Sequence, residues 1–265
     1  MKQLLMATLC LFLLSCSNHT IEPPGEIINE TPVDNPSDDP VEDPVEDPVD
    51  DPITEDPSTD TLTDIDGNTY QIVQIGNQWW MAENLKATHY RNGDAIPGAS
   101  GNAWTSLSTG AYCAETNASN ANTYGYLYNW YAVNDSRNIA PAGWHVPTDD
   151  DWKTLEIYLG LSQSVADMAN CRGEGIGGKL KETGTSHWAT PNEGATNASN
   201  FTALPAGRCS LTGSIDEQGN FAFFWSASAI DTESAWSRGI SSASSYICRY
   251  ESIKQLGYSV RLVRD

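Results

Sequence analysis

The segment GWHVPTDDDWKTLEIYL, residues 143–159, carries the strongest local structural signal in the chain. Thr148 is a typical N-cap, because its hydroxyl can accept a hydrogen bond from the backbone amide of Asp151. Three aspartates fill the first turn, where the helix dipole favours negative charge, and Gly160 is a typical helix stop. Apolar side chains recur at three- and four-residue intervals from Trp152 onward. The segment therefore predicts a short amphipathic helix, entered from an extended apolar approach.

The acidic triplet 149–151 is predicted to be the solvated start of this helix and not a chemical site. General acid–base catalysis needs two positioned groups with separated pKa values, and the sequence places no second group beside the triplet.

Two other patterns resemble ligand-binding loops but lack a required residue. Residues 64–68 begin like an EF-hand loop, yet Ile75 occupies the position of the bidentate glutamate. Residues 173–179 have the spacing of a phosphate-binding loop, but a leucine replaces the following Ser or Thr, and no strand is predicted before it. The sequence predicts no metal site and no cofactor.

Charge is distributed unevenly along the chain, which has 265 residues and a net charge of −21. Residues 17–60 contain 15 Asp or Glu and no Lys or Arg, whereas the 20 later acidic residues face 13 basic ones. A mildly acidic folded part does not favour nucleic acid as a partner, because nucleic-acid binding needs a basic surface.

The N-terminus has the features of a secretion signal, residues 1–15, which is too short for a stable membrane span. Its end, Leu14-Ser15-Cys16, resembles a bacterial lipobox, in which the cysteine is acylated and becomes the new N-terminus. We therefore expect Cys16 to anchor the protein through lipid in the cell envelope, with the outer membrane as the expected location.

Residues 16–60 are rich in Pro, Asp and Glu and include the repeat VEDPVEDPVDDP. Such a composition cannot form a core and favours an extended, disordered tether with a reach on the order of 100 Å. The folded domain is therefore expected to span residues 61–265.

Within that domain, turn residues separate strand-like segments. Asp66-Gly67 and Gly76-Asn77 predict two tight turns between opening strands, and alternating apolar residues from Tyr258 onward predict a C-terminal strand. A second short helix is expected within residues 162–169. Four cysteines remain after signal removal and acylation, and they allow three pairings. We favour the pairing of Cys209 with Cys248. The two alternative ways of pairing these cysteines with Cys113 and Cys171 stay open.

Seven motifs in order resemble one known family: DIDGNTYQIVQIGNQWWMAENL, YGYLYNWYAV, GWHVPTDDDWKTLE, GGKLKETGTSHW, FTALPAGR, FFWSAS and GYSVRLVRD. The family is the Fibrobacter succinogenes major paralogous domain of bacterial lipoproteins. The resemblance implies a C-type-lectin-like α+β fold with a twisted antiparallel sheet and two short helices, shared with formylglycine-generating enzymes. Formylglycine formation needs a closely spaced cysteine pair, whereas Cys209 and Cys248 are 39 positions apart. We therefore predict that the protein is not an enzyme.

The function that we expect is binding of a glycan or a surface protein through the C-terminal region. Residues 226–256 mix small polar residues with Tyr, Trp and Arg, which are the usual anchors of recognition surfaces. The same region faces ligands in the lectin-like relatives. The candidate contacts are Trp236, Arg238, Tyr246, Arg249 and Tyr250. Two alternatives are a ligand-free structural envelope protein and an enzyme related to formylglycine formation.

Overall fold

The computed structural model describes residues 61–114 and 118–265. The predictions of a signal at 1–15, of acylation at Cys16 and of a tether at 16–60 lie outside the described residues.

The described residues form a mixed structure of short helices and curled antiparallel sheets. The strands are β1 Thr61–Thr63, β2 Thr69–Ile75, β3 Gln78–Met81, β4 Gly98–Ala99, β5 Tyr112–Cys113, β6 Trp144–His145, β7 Asn170–Arg172, β8 Arg208–Cys209, β9 Ile215–Asp216, β10 Phe221–Ala229, β11 Ser234–Ser241, β12 Ile247–Ile253 and β13 Val263–Arg264. The helices are α1 Gly101–Thr105, α2 Ala118–Tyr124, α3 Trp130–Val133, α4 Asp149–Tyr158, α5 Gln163–Ala166 and α6 Ile176–Leu180.

The first sheet joins the beginning and the end of the domain. Its strand order is β1-β2-β3-β13-β6, and Val263 on β13 pairs with both Trp80 and His145. Both predicted turns are confirmed: Asp66-Gly67 lies between β1 and β2, and Gly76-Asn77 joins β2 to β3. The prediction of a C-terminal strand is confirmed by β13.

Helix α4 begins where the sequence predicts. The Thr148 hydroxyl accepts from the amide of Asp151 at 3.1 Å, and the Asp151 carboxylate accepts from the amide of Thr148 at 2.8 Å, which makes a complete capping box. Trp152 is buried in an aromatic cluster with Trp80, Phe201 and Phe224. The predicted apolar face is wrong in one respect, because Tyr158 is 65% exposed.

The second sheet carries the region predicted to bind a ligand. Its order is β10-β11-β12-β7, and every neighbouring pair is antiparallel. One face of this sheet packs against α4 through Phe224 and Ile240, whereas Phe223 on the same strand as Phe224 points to the opposite face.

The predicted number of helices needs correction. The described part of the chain has six short helical segments and not two, because α1, α2, α3 and α6 are only four to seven residues long and too short to show an apolar repeat. The second predicted helix is present as α5, capped by the Ser162 hydroxyl.

The expectation that no strand precedes residues 173–179 is also wrong, since β7 ends at Arg172. Gly177 and Gly178 are nevertheless positions of close packing. A Cβ on Gly177 would lie 2.2 Å from the carbonyl oxygen of Tyr246, and a Cβ on Gly178 would lie 2.0 Å from the carbonyl oxygen of Gly194. These close approaches leave the backbone covered by protein.

The favoured disulfide pairing is wrong. Cys248 on β12 bonds to Cys171 on β7, and the two residues face each other in the strand register. Cys209 instead lies beside Cys113, with the two Sγ atoms 2.6 Å apart in the interior. Sequence spacing could not choose this pairing, because strand register decides which cysteines meet.

Candidate functional site

The five predicted ligand contacts lie on different sides of the second sheet. Arg238 and Arg249 face each other across β11 and β12, on the side that α4 covers. Tyr250 follows Arg249 directly and therefore points to the opposite side. The structure thus does not bring the five residues together in one site.

Arg238 and Arg249 belong to a buried ion-pair network. Arg249 binds Asp149 through Nε at 2.9 Å and through its terminal nitrogen at 2.7 Å, and Arg238 binds the same carboxylate at 2.9 Å. Arg238 also pairs with Glu156, and Arg172 reaches Glu156 at 2.6 Å. Arg238 has no exposed surface and Arg249 is buried, so neither can contact a ligand, which corrects that prediction.

The same network corrects the interpretation of Asp149 as part of a solvated helix start. Its carboxylate is buried and accepts from two arginines. Burial raises the pKa of Asp149, but the hydrogen bond from Arg249 and the charge of Arg238 outweigh burial and hold that pKa well below its usual range. Asp149 therefore stays ionised in the interior and locks α4 onto the sheet.

Trp236 and Tyr246 do not share a cavity with the remaining candidate, Tyr250. Trp236 is half-buried, and the Arg249 guanidinium stacks on its ring at 3.3 Å from the centroid. Tyr246 is 38% exposed, and its hydroxyl lies 3.5 Å from a carboxylate oxygen of Glu174. Neither residue lines the cavity that contains Tyr250.

A cavity of about 430 Å³ lies on the side of the second sheet opposite α4, and we call it the aromatic groove. It falls within the size range of ligand sites, which is roughly 300–1,000 Å³. The groove is lined by Arg208, Glu217, Phe221, Phe223, Tyr250, Glu251, Ser252, Ile253, Leu256 and Tyr258.

Three stacked rings form the floor of the aromatic groove. Phe221 stacks on Phe223 with centroids 5.4 Å apart, and Phe223 stacks on Tyr258 at 5.0 Å. A Cβ added to Gly239 would lie 2.7 Å from the Tyr250 ring and 3.3 Å from the Phe223 ring. The absence of a side chain at Gly239 therefore lets both rings settle on the sheet. Burial raises the pKa of Tyr250 and of Tyr258 above the usual value of a phenol.

The rim of the groove carries charge of both signs. Arg208 is paired with Asp216 at 2.7 Å, just outside the lining residues. The carboxylates of Glu217 and Glu251 are exposed and make no hydrogen bond or ion pair with the described residues. Glu217 interacts electrostatically with Arg208, whereas Glu251 is two residues after Arg249 and therefore points to the α4 side of the sheet. The Ile253 side chain, which also lines the groove, is 46% exposed.

A family model described as the Fibrobacter succinogenes major domain matches residues 73–264. The chain belongs to this family. All the residues that line the aromatic groove lie within the matched range. Searches of the curated proteins and of the solved structures returned no match.

Most groove residues of this Fibrobacter succinogenes major domain were not identified from sequence as ligand contacts. Tyr250 is the one lining residue that the sequence predicted as a ligand contact, and Phe221, Phe223, Arg208, Glu217 and Glu251 carried no such prediction. The available signal was the alternation in FAFFW, which sends Phe221 and Phe223 to one face and Phe224 to the other. The contribution of the β8–β9 hairpin had no local signal, because it depends on tertiary packing.

The described residues contain no group of three or more His, Cys, Asp or Glu side chains arranged to hold a metal ion.

Cys113 and Cys209 are 96 positions apart in the sequence but adjacent in space. A wide spacing in the sequence therefore does not exclude a pair of neighbouring cysteines in the fold. Both are fully buried in a cluster that includes Trp104. None of the helices in 61–114 and 118–265 combines the length and hydropathy that crossing a bilayer requires.

Proposed function

We propose that this family member is a lipid-anchored cell-envelope binding module that takes a glycan or a surface protein in the aromatic groove. The observation that carries the proposal is the groove itself: a concave aromatic floor with convergent polar groups, which is the usual composition of a ligand site. Cys16 would carry the lipid, and residues 16–60 would hold the domain away from the outer membrane.

We further propose that the domain has the C-type-lectin-like fold. The mixture of short helices with curled antiparallel sheets supports this assignment. The pairing of β13 with β3, which brings the two ends of the domain together, is compatible with it.

The groove favours binding over the alternative of a ligand-free structural protein. The exposed Ile253 side chain lies beside a row of aromatic rings, and stability alone does not require that combination. Catalysis is less well supported, because the groove lining contains no Cys, His or Ser–His arrangement that would supply a nucleophile with its base.

An array of glycans and envelope proteins, probed with the full chain in detergent, tests the proposal. Tyr250→Ala should cost more than about 1 kcal/mol of binding free energy for any ligand of the groove, because aromatic anchors dominate recognition surfaces. Tyr246→Ala is the matched control, since Tyr246 is exposed but lies outside the groove. The melting temperatures of both variants should be compared with that of the wild type.

Equal loss in the two tyrosine variants, or binding that survives both Tyr250→Ala and Phe221→Ala, would remove the groove as the binding site. A broad array without any saturable ligand would favour the structural alternative.

A further inference from the structure

We propose that Cys113 and Cys209 form a second disulfide bond, which ties β5 to the β8–β9 hairpin beside the aromatic groove. This bond is additional to Cys171–Cys248, and it does not depend on the proposed binding function. The proposal rests on the contact between the two sulfur atoms, on the backbone that holds each cysteine, and on the burial of the pair.

The two sulfur atoms are too close to belong to separate thiols. The Sγ of Cys209 lies 2.6 Å from the Sγ of Cys113. A covalent S–S bond is about 2.0 Å long. Two sulfur atoms that share no bond repel each other before they come this close, because their electron shells overlap. A small movement of either side chain completes a bond, whereas two thiols would have to be pushed apart.

Backbone hydrogen bonds hold both cysteines in place. The amide of Cys113 donates to the carbonyl of Leu127 at 2.8 Å. Cys209 and Gly257 exchange two backbone hydrogen bonds, of 2.8 Å and 2.9 Å. A Cβ on Gly257 would lie only 2.5 Å from the Cβ of Cys209, so this close approach of the two backbones needs glycine. The paired backbones therefore keep the sulfur atoms together.

Burial separates this pair from soluble thiols and disulfides. Both cysteines have no exposed surface, and they pack with Trp104, Leu127 and Ala206. An oxidant or a reductant must reach a sulfur atom in order to exchange with it. We therefore expect the bond to form while the chain folds, before this cluster closes, and to resist reduction afterwards.

Formation of the bond is a two-electron oxidation. The thiolate of one cysteine attacks a sulfur of an oxidant disulfide and releases the oxidant's other sulfur as a thiolate. The second cysteine then attacks its neighbour in this mixed disulfide and releases the oxidant's remaining sulfur. The two cysteines lose two protons and two electrons, and the oxidant leaves as a dithiol that carries them. A disulfide-bonded oxidoreductase is the class of oxidant required, as it is for Cys171–Cys248.

The bond fixes one wall of the aromatic groove. Arg208, which lines the groove, directly precedes Cys209. Gly257 pairs with Cys209 and lies between two further lining residues, Leu256 and Tyr258. The bond also joins residues 96 positions apart, and closing so long a loop restricts the unfolded chain strongly.

Peptide mapping tests the bond on the wild-type full chain, purified without reductant and unfolded in N-ethylmaleimide, which blocks any thiol. Trypsin cuts after Lys and Arg, so Cys113 falls in fragment 92–137 and Cys209 in fragment 209–238, each as the single cysteine. We expect mass spectrometry to find these two fragments joined, with two hydrogens fewer than the separate pair. Separate fragments that each carry a maleimide adduct would overturn the proposal, and so would either cysteine joined to a different one.

The order of reduction provides a second measurement. Cys171 is exposed, so dithiothreitol added to the folded chain should reduce Cys171–Cys248 first. Reduction of Cys113–Cys209 should need urea as well, because both sulfur atoms are buried. Alkylation at timed intervals, followed by the same digest, gives the order. Reduction of the two bonds at equal rates in the folded chain would contradict a bond enclosed in the core.

The melting temperature measures what the bond contributes. In the variant Cys171→Ala/Cys248→Ala, only the proposed bond remains in the described part of the chain. Refolded in dithiothreitol, this variant should melt about 5–15 °C below the same variant refolded with oxidised glutathione. Equal melting temperatures would contradict a stabilising bond. The peptide map uses the wild type and decides the proposal even if this variant fails to fold.

Discussion

Arg238 joins α4 to the second sheet through two buried ion pairs. It lies fully buried between Asp149 and Glu156, both on α4. Breaking a buried ion pair by removing one partner leaves an uncompensated charge in the interior, which typically costs about 3–5 kcal/mol. The arginines predicted to bind a ligand therefore hold the scaffold beneath the groove.

Replacing Arg238 with methionine should accordingly lower the free energy of unfolding by about 3–5 kcal/mol in urea titrations. Arg208→Met is the matched control, because Arg208 pairs with Asp216 near the surface and such pairs contribute about 1 kcal/mol or less. Equal losses in the two variants would show that the buried network does not have the predicted importance.

Asp149 should make stability depend on pH. Its pKa in the folded protein is lowered by Arg249 and Arg238 despite burial, relative to about 3.9 in an unfolded chain. Its ionised carboxylate therefore stabilises the fold above that unfolded value, and this contribution is lost as the pH falls toward the lower folded pKa. Between about pH 5 and pH 2, the free energy of unfolding should fall more steeply for the wild type than for Asp149→Asn. Parallel profiles would contradict this assignment.

At the scale of secondary structure, local signals predicted the start of α4 and the turns, whereas contacts between distant segments were not predictable. The Thr148 cap and the Asp66-Gly67 turn depend on neighbouring residues alone. The burial of Arg238 depends on a helix whose Asp149 lies 89 positions earlier, and no pattern within β11 records it. The groove was missed for the same reason, because separate strands and a hairpin supply its lining.

The α4 cap provides a direct test at this scale. Thr148→Ala removes the hydroxyl that accepts from the Asp151 amide and should cost about 1 kcal/mol of unfolding free energy. Thr148→Ser keeps an accepting hydroxyl and should recover most of the loss. Thr154→Ala, on the same helix, should change stability by no more than about 0.5 kcal/mol, since Thr154 is exposed. A Thr148→Ser variant as unstable as Thr148→Ala would show that the cap hydroxyl is not the stabilising group.

At the scale of the whole molecule, the proposed function requires the domain to be held at a membrane. Cys16→Ala should release the full chain from membranes into the soluble fraction, because the mature chain would then lack its lipid. Membrane fractionation, with mass spectrometry of the mature N-terminus, measures both consequences. A mature N-terminus other than an acylated Cys16 would contradict the anchor, and protease shaving of intact cells would show which side of the membrane the domain faces.

The central claim is that the domain binds its ligand in the aromatic groove. Amide hydrogen exchange of the full chain, measured with and without a ligand found on the array, locates the binding surface directly. We predict slower exchange in residues 250–258 and around Phe221 and Phe223, with little change near Tyr246 and Glu174. Protection centred on Tyr246 and Glu174, with none along residues 250–258, would contradict the claim.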